Sequence, residues 1–232
     1  MRYGLDVLML VLLVGEMAFF YLPPLVHEVV GVAFLLPILW HLVLNRRYVS
    51  SLGRGRWNGP RLVRLVLNIL LAVSCLATIV SGCLISSELF ADVVPLSLRS
   101  NPLLYPLHST AARYFLVLSG LHLGWHMPGW WQRWLHAAGI TSRPLAAKVL
   151  FIVLSVLFGA GGLFAAQQDR LMEHLQGAHI FMTPALSYSG AGYVLTQAGI
   201  FILFAEIGWI LSDAKKRWVS SAKFSGGSKN FR

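Results

Sequence analysis

The sequence predicts an all-α integral membrane protein, a six-helix transmembrane bundle, and three observations carry that prediction. Hydrophobic residues make up 56% of the 232-residue chain and charged residues 12%, with a mean hydropathy of +0.66, well outside the range of soluble domains. Six apolar runs are long enough to cross a bilayer, at residues 5–22, 25–45, 62–86, 105–127, 146–166 and 193–212. Lys and Arg collect in alternate connections between these runs, the asymmetry that orients membrane helices.

The first run follows a short basic start and has no small-residue cleavage site, so it reads as a retained helix rather than a signal peptide. It carries Asp6, shallow enough to reach water, and Glu16. Pro23 and Pro24 end this run and open the second, while Pro37, four residues before His41, predicts a kink that leaves the carbonyl near residue 33 needing another donor. In the third run Cys75 and Cys83 lie eight residues apart, about 12 Å along a helix and too far for a disulfide, so both read as packing residues. Pro106 sits in the first turn of the fourth run and Pro128 is expected to stop it. Between the fifth and sixth runs, DRLMEHLQGAHIFMTP suggests a short surface helix with His174 and His179 solvated. The sixth run holds Glu206, which like Glu16 is open either as a proton-accepting group near a quinol or as a partner of Ser, Tyr or Trp. The basic tail, 214–232, has little to bury and is expected to be disordered.

If every run spans, all Lys and Arg residues except Arg99, Arg113 and Arg170 fall on one side, which places that side and both termini in the cytoplasm. The net charge of +10 does not point to nucleic acid, because no soluble domain presents it. Anionic lipid head groups of the bilayer are the expected counter-charge.

Four histidines carry the chemistry. His27 and His41 in the second run, and His108 and His122 in the fourth, are each separated by thirteen residues. Fourteen helical steps are four turns less about 40° and span about 21 Å, so each pair lies on nearly one face. Under the topology above the two runs are parallel, with His27 and His108 near the periplasmic face and His41 and His122 near the cytoplasmic one. Imidazole in hydrocarbon needs a strong partner, and haem iron held by one histidine from each of two helices is such a partner. The expectation is two haem b groups, ligated by His27 with His108 and by His41 with His122. Cys-x-x-Cys-His is missing, so covalent c-type haem is excluded.

Around the histidines, Gly31, Ala112, Ser119, Gly120 and Gly124 could let a porphyrin approach the backbone or could serve ordinary helix packing. Arg46 and Arg47 could meet cytoplasmic propionates or be positive-inside anchors. Arg113 lies inside a span and needs an anion, a propionate or Glu28. His126, one turn beyond His122, is an alternative ligand, a propionate partner or an interfacial residue. SYSGAG at 187–192 is similar to the core at which FMN is attached to threonine, but Gly192 stands where the acceptor hydroxyl is required, and it reads as a loop.

On HEVVGVAFLLPILWHLVLNRRY, SGCLIS at 81–86 and LSGLHLGWHM, the chain resembles the flavinylation-associated membrane cytochromes. More distantly it is similar to the ferric-reductase-type transmembrane domain. The likeness covers residues 5–130; Met127 stands where the family has an aromatic. It implies a four-helix di-haem cytochrome b core at 1–130, followed by two additional helices with a periplasmic loop at 131–213. The implied function is electron transfer in the bacterial inner membrane, from a quinol or cytoplasmic donor to a periplasmic acceptor, an FMN-carrying or other redox protein. The chain lacks a Gly-rich dinucleotide fingerprint, so it reads as an electron-transfer subunit rather than a self-contained enzyme. Two rivals are a cytochrome b subunit of a respiratory dehydrogenase passing electrons to quinone, and a histidine-based transporter or metal carrier.

Overall fold

A computed structural model describes residues 2–54, 57–137, 139, 145–178 and 189–226. Every regular element among them is helical. The first run forms α1 (Arg2–Met17) and a 3-10 turn at Phe19–Tyr21. Leu22 and Pro23 are extended, as residues that precede a proline tend to be, and this ends the first helical segment before its apolar run does.

The second run is two helices, α2 (Pro24–Ala33) and α3 (Leu35–Leu44). Pro37 lies in the first turn of α3, where it has no N–H for the carbonyl of Ala33 and its ring crowds that carbonyl. The ladder therefore breaks at Phe34. Asn45 closes α3 by donating its side-chain amide to the His41 carbonyl at 2.8 Å, and the short α4 (Arg46–Ser51) follows. Asn58 caps α5 (Gly59–Ile85) by accepting from the Arg61 N–H at 3.0 Å. The Arg61 guanidinium donates to the carbonyls of Ser51 and Leu52, tying the start of α5 to the end of α4.

Next come α6 (Leu96–Arg99), α7 (Leu104–Ala137), α8 (Leu145–Gln168), α9 (Leu171–Leu175) and α10 (Gly190–Gly226). Four expectations need correction. Pro128 lies inside α7 and does not stop it; a proline removes one rung, and the residues beyond it keep their own N–H groups for upstream carbonyls. His174 is 7% exposed rather than solvated, because α9 docks back onto α7 and the Thr110 hydroxyl donates to its carbonyl at 3.2 Å. SYSGAG is not wholly a loop, since α10 begins at Gly190. The last helix also continues to Gly226 through the basic segment expected to be disordered, where Ala214, Lys215, Lys216 and Arg217 are good helix formers. His179 and residues 227–232 lie outside the described residues.

Among the described residues, three helical stretches are long and apolar enough to cross a membrane: Pro24–Leu44, Gly59–Ile85 and Gly190–Asp213. Large apolar side chains such as Leu36, Val73, Leu76 and Ile210 stand exposed on them, a surface that water would not tolerate in this quantity.

Paired residues give the relative directions. His27 meets His108 and His41 meets His122, so α2–α3 and α7 are parallel. Glu16 meets His27 and Asp6 meets His41, so α1 is antiparallel to them. Thr78 meets His108 and Asn68 meets His122, so α5 is antiparallel to α7. The long α7 lies between α5 and α10, and α10 also packs on α8. Leu13, Met17, Phe34, Leu116, Ile200 and Phe201 form the centre of the core.

The α7–α10 crossing is set by glycine. A Cβ on Gly124 would overlap the Ala205 carbonyl, one on Gly208 would overlap that of Leu121, and one on Gly120 would lie 2.7 Å from the Phe201 oxygen. Gly120 and Gly124 therefore serve helix packing, not approach to a ligand at His122.

Candidate functional site

Helices α2–α3 and α7 bring the four histidines together in two pairs. The His27 and His108 ring centres are 6.3 Å apart with planes at 90°. Those of His41 and His122 are 6.4 Å apart with planes at 68°. Between these levels Phe34 and Phe115 face each other at 6.2 Å.

Each histidine has an oxygen close to its Nδ1. His27 Nδ1 lies 2.9 Å from Glu16 Oε2 and His41 Nδ1 lies 3.3 Å from Asp6 Oδ1, both from α1. On α7, His108 Nδ1 lies 2.9 Å from the Thr78 carbonyl and 3.3 Å from Ser81 Oγ, and His122 Nδ1 lies 3.0 Å from Asn68 Oδ1, all from α5. At His108 and His122 the acceptor holds the proton on Nδ1 and leaves Nε2 with its lone pair, the arrangement that metal-ligating histidines use; His27 and His41 instead stand within ion-pair distance of carboxylates, and His27 Nδ1 forms no hydrogen bond.

The His27–His108 level opens into a cavity of about 250 Å³, lined by Gly31, Phe34, Gly82 and Arg113 among others. That is many times the space of a single water and more than a packing gap. Gly82 makes room for His108, because a Cβ there would lie 2.9 Å from the ring's Cε1. Gly31 serves a purpose the sequence did not reveal: a Cβ on it would lie 3.2 Å from the Glu16 carboxylate, so its missing side chain admits the partner of His27.

The remaining predicted residues have other partners. Arg113 is 2% exposed and is not paired with Glu28. It lies 3.2 Å from Asp169 Oδ2 and donates to Tyr193 Oη at 3.0 Å and to Gln197 Oε1. Glu28 instead accepts from the Ser86 hydroxyl and the backbone N–H groups of Ser87, Glu88 and Leu89, closing the turn after α5. Arg46 and Arg47 are exposed beyond the His41 end of α3. His126 is exposed, with its ring centre 4.8 Å from that of His122.

Sequence reasoning missed the partners of the histidines. Asp6 and Glu16 were read one by one, yet they stand near opposite ends of one apolar run, matching the two depths of the histidine pairs. That matched depth was the available signal. Asp169, the partner of Arg113, is 8% exposed; nothing in its surroundings along the chain marks it.

No family model, curated protein or solved structure matches the chain, so the site rests on its own geometry. Two imidazoles on opposite faces of one metal have ring centres about 6 Å apart, from a metal–nitrogen bond of about 2 Å and about 1 Å more to each ring centre. Both pairs meet that distance. Edge-to-face packing of bare rings falls in the same range, so what points to metal ligation is the oxygen beside Nδ1 at each position, a hydrogen-bond acceptor at His108 and His122 and a carboxylate at His27 and His41. Among the described residues no group of three or more His, Cys, Asp or Glu is placed to hold a metal ion. Two imidazoles are too few for a protein-only zinc site and are the axial complement of haem. The His27–His108 pair with its cavity fits haem, and the His41–His122 pair matches it in ring separation.

Proposed function

We propose that the chain is a six-helix transmembrane cytochrome b, with its four-helix core holding two haem b groups and relaying electrons across the bacterial inner membrane. The observation that carries this reading is the pair of histidine levels, with a hydrogen-bond acceptor at Nδ1 of His108 and His122 and a carboxylate beside Nδ1 of His27 and His41. His27 with His108 would hold one haem and His41 with His122 the other. Bound haem supplies a one-electron iron couple at each level. The protein's part is to fix both imidazoles of each pair, exclude water with the apolar faces of α2, α3, α5 and α7, and set Phe34 and Phe115 between the levels. Arg46 and Arg47 stand at the His41 end, where cytoplasmic propionates would need cations. Basic connections and both termini lie in the cytoplasm under this reading.

The donor is a quinol or a cytoplasmic reductant, and the acceptor a periplasmic flavoprotein or other one-electron carrier. One observation favours the opposite direction, inward to quinone as in a respiratory dehydrogenase subunit. The better-buried carboxylate, Glu16, backs the periplasmic-level His27, which lowers the potential on that side and makes inward flow downhill. Liposomes test the relay itself. With a quinol outside and ferricyanide entrapped, the haem-loaded protein should pass one electron to each ferricyanide. His122→Ala protein should not, and equal rates for the two would contradict the reading.

A further inference from the structure

The structure assigns to α1 a role of its own: Glu16 and Asp6 are positioning residues that lower the reduction potential of one haem each. The inference rests on the di-haem reading and goes beyond it. In both pairs the α7 histidine is backed by an uncharged oxygen, the Thr78 carbonyl or the Asn68 amide, and the α2–α3 histidine by a carboxylate. The two carboxylates come from one helix, near its opposite ends, at the two histidine levels.

A carboxylate 2.9 or 3.3 Å from Nδ1 places a negative charge beside the ligand imidazole. That charge would favour the oxidised state of a bound iron over the reduced one. No bond is made or broken; one electron enters and leaves each iron, and the carboxylates alter only the balance between the two states. The effect should be unequal. Glu16 is 9% exposed at its side chain and 2.9 Å from His27, whereas Asp6 is 34% exposed and 3.3 Å from His41, so solvent screens the second pair more. Gly31 belongs to the same device, since a side chain there would push against Glu16.

Redox titration of the purified, haem-loaded protein tests the assignment, with the low-spin EPR signals reporting whether both histidine pairs remain ligated. Glu16→Gln should raise one couple by a tenfold change in the oxidised-to-reduced ratio, about 59 mV for one electron, leaving the other in place. Asp6→Asn should raise the other couple by less. Asn68→Asp, which puts a carboxylate behind His122, should move that second couple downward. Should Glu16→Gln fail to load haem, the opposite signs of Asp6→Asn and Asn68→Asp decide the matter. Fully loaded variants with unmoved couples would overturn the role of α1 and leave the di-haem reading intact. A wild-type protein without haem would remove both.

Discussion

Gly82 shows how closely single residues are fitted to the histidines. His108 occupies the space a side chain at 82 would take, so Gly82→Val should displace the ring, cost one haem of two, and leave the His41–His122 level occupied; haem per chain measures this. Arg113 and Asp169 are a different case, a buried pair whose side chains are 3% and 5% exposed. Removing one partner leaves the other charge uncompensated, and Asp169→Ala should destabilise by about 3–5 kcal/mol. The check is a lowered melting temperature in detergent, with the Arg113→Met, Asp169→Leu double variant melting above the single one. The histidines were legible from sequence because imidazole is rare in apolar runs and a helix converts spacing into depth. The acceptors at Nδ1 were not, since the rotation of α1 about its own axis decides what Glu16 and Asp6 face. Asp169 meets Arg113 only once the end of α8 has docked on α7 and α10.

At the scale of elements, α7 joins the histidine site to the last two long helices. Its Gly120 and Gly124 bring the backbone against α10, where Gly208 reciprocates. A bulky side chain at this crossing cannot be absorbed by a rotamer change, because what it meets is backbone. Gly124→Leu should cost about 1–3 kcal/mol from overpacking and separate the helices, seen as lower thermal stability and faster proteolysis of α10. Proline was legible where it opens helices, at Pro24, and where it breaks one, around Pro37. It misled at Pro128, because a helix already held by neighbours on two sides survives the loss of one rung. The glycines beside His122 were ambiguous in sequence: small residues admit a cofactor and a helix equally well, and only the position of α10 separates the two uses.

For the whole molecule, α1, α2–α3, α5 and α7 enclose two histidine levels, while α10 packs outside against α7 and α8 against α10. The boundary expected near residue 130 falls inside α7, which runs on to Ala137. The apolar runs and their alternation were legible because burying backbone in hydrocarbon requires helices of a given length. Their side-by-side order was not, since lipid-facing and protein-facing surfaces are both apolar. The account turns on iron porphyrin bridging His27 to His108 and His41 to His122, and counting haem by pyridine haemochrome in the purified protein addresses it most directly. Two per chain in the wild type and one in His41→Ala is the predicted result; a colourless wild type expressed with ample haem, or a variant that keeps both, would contradict it.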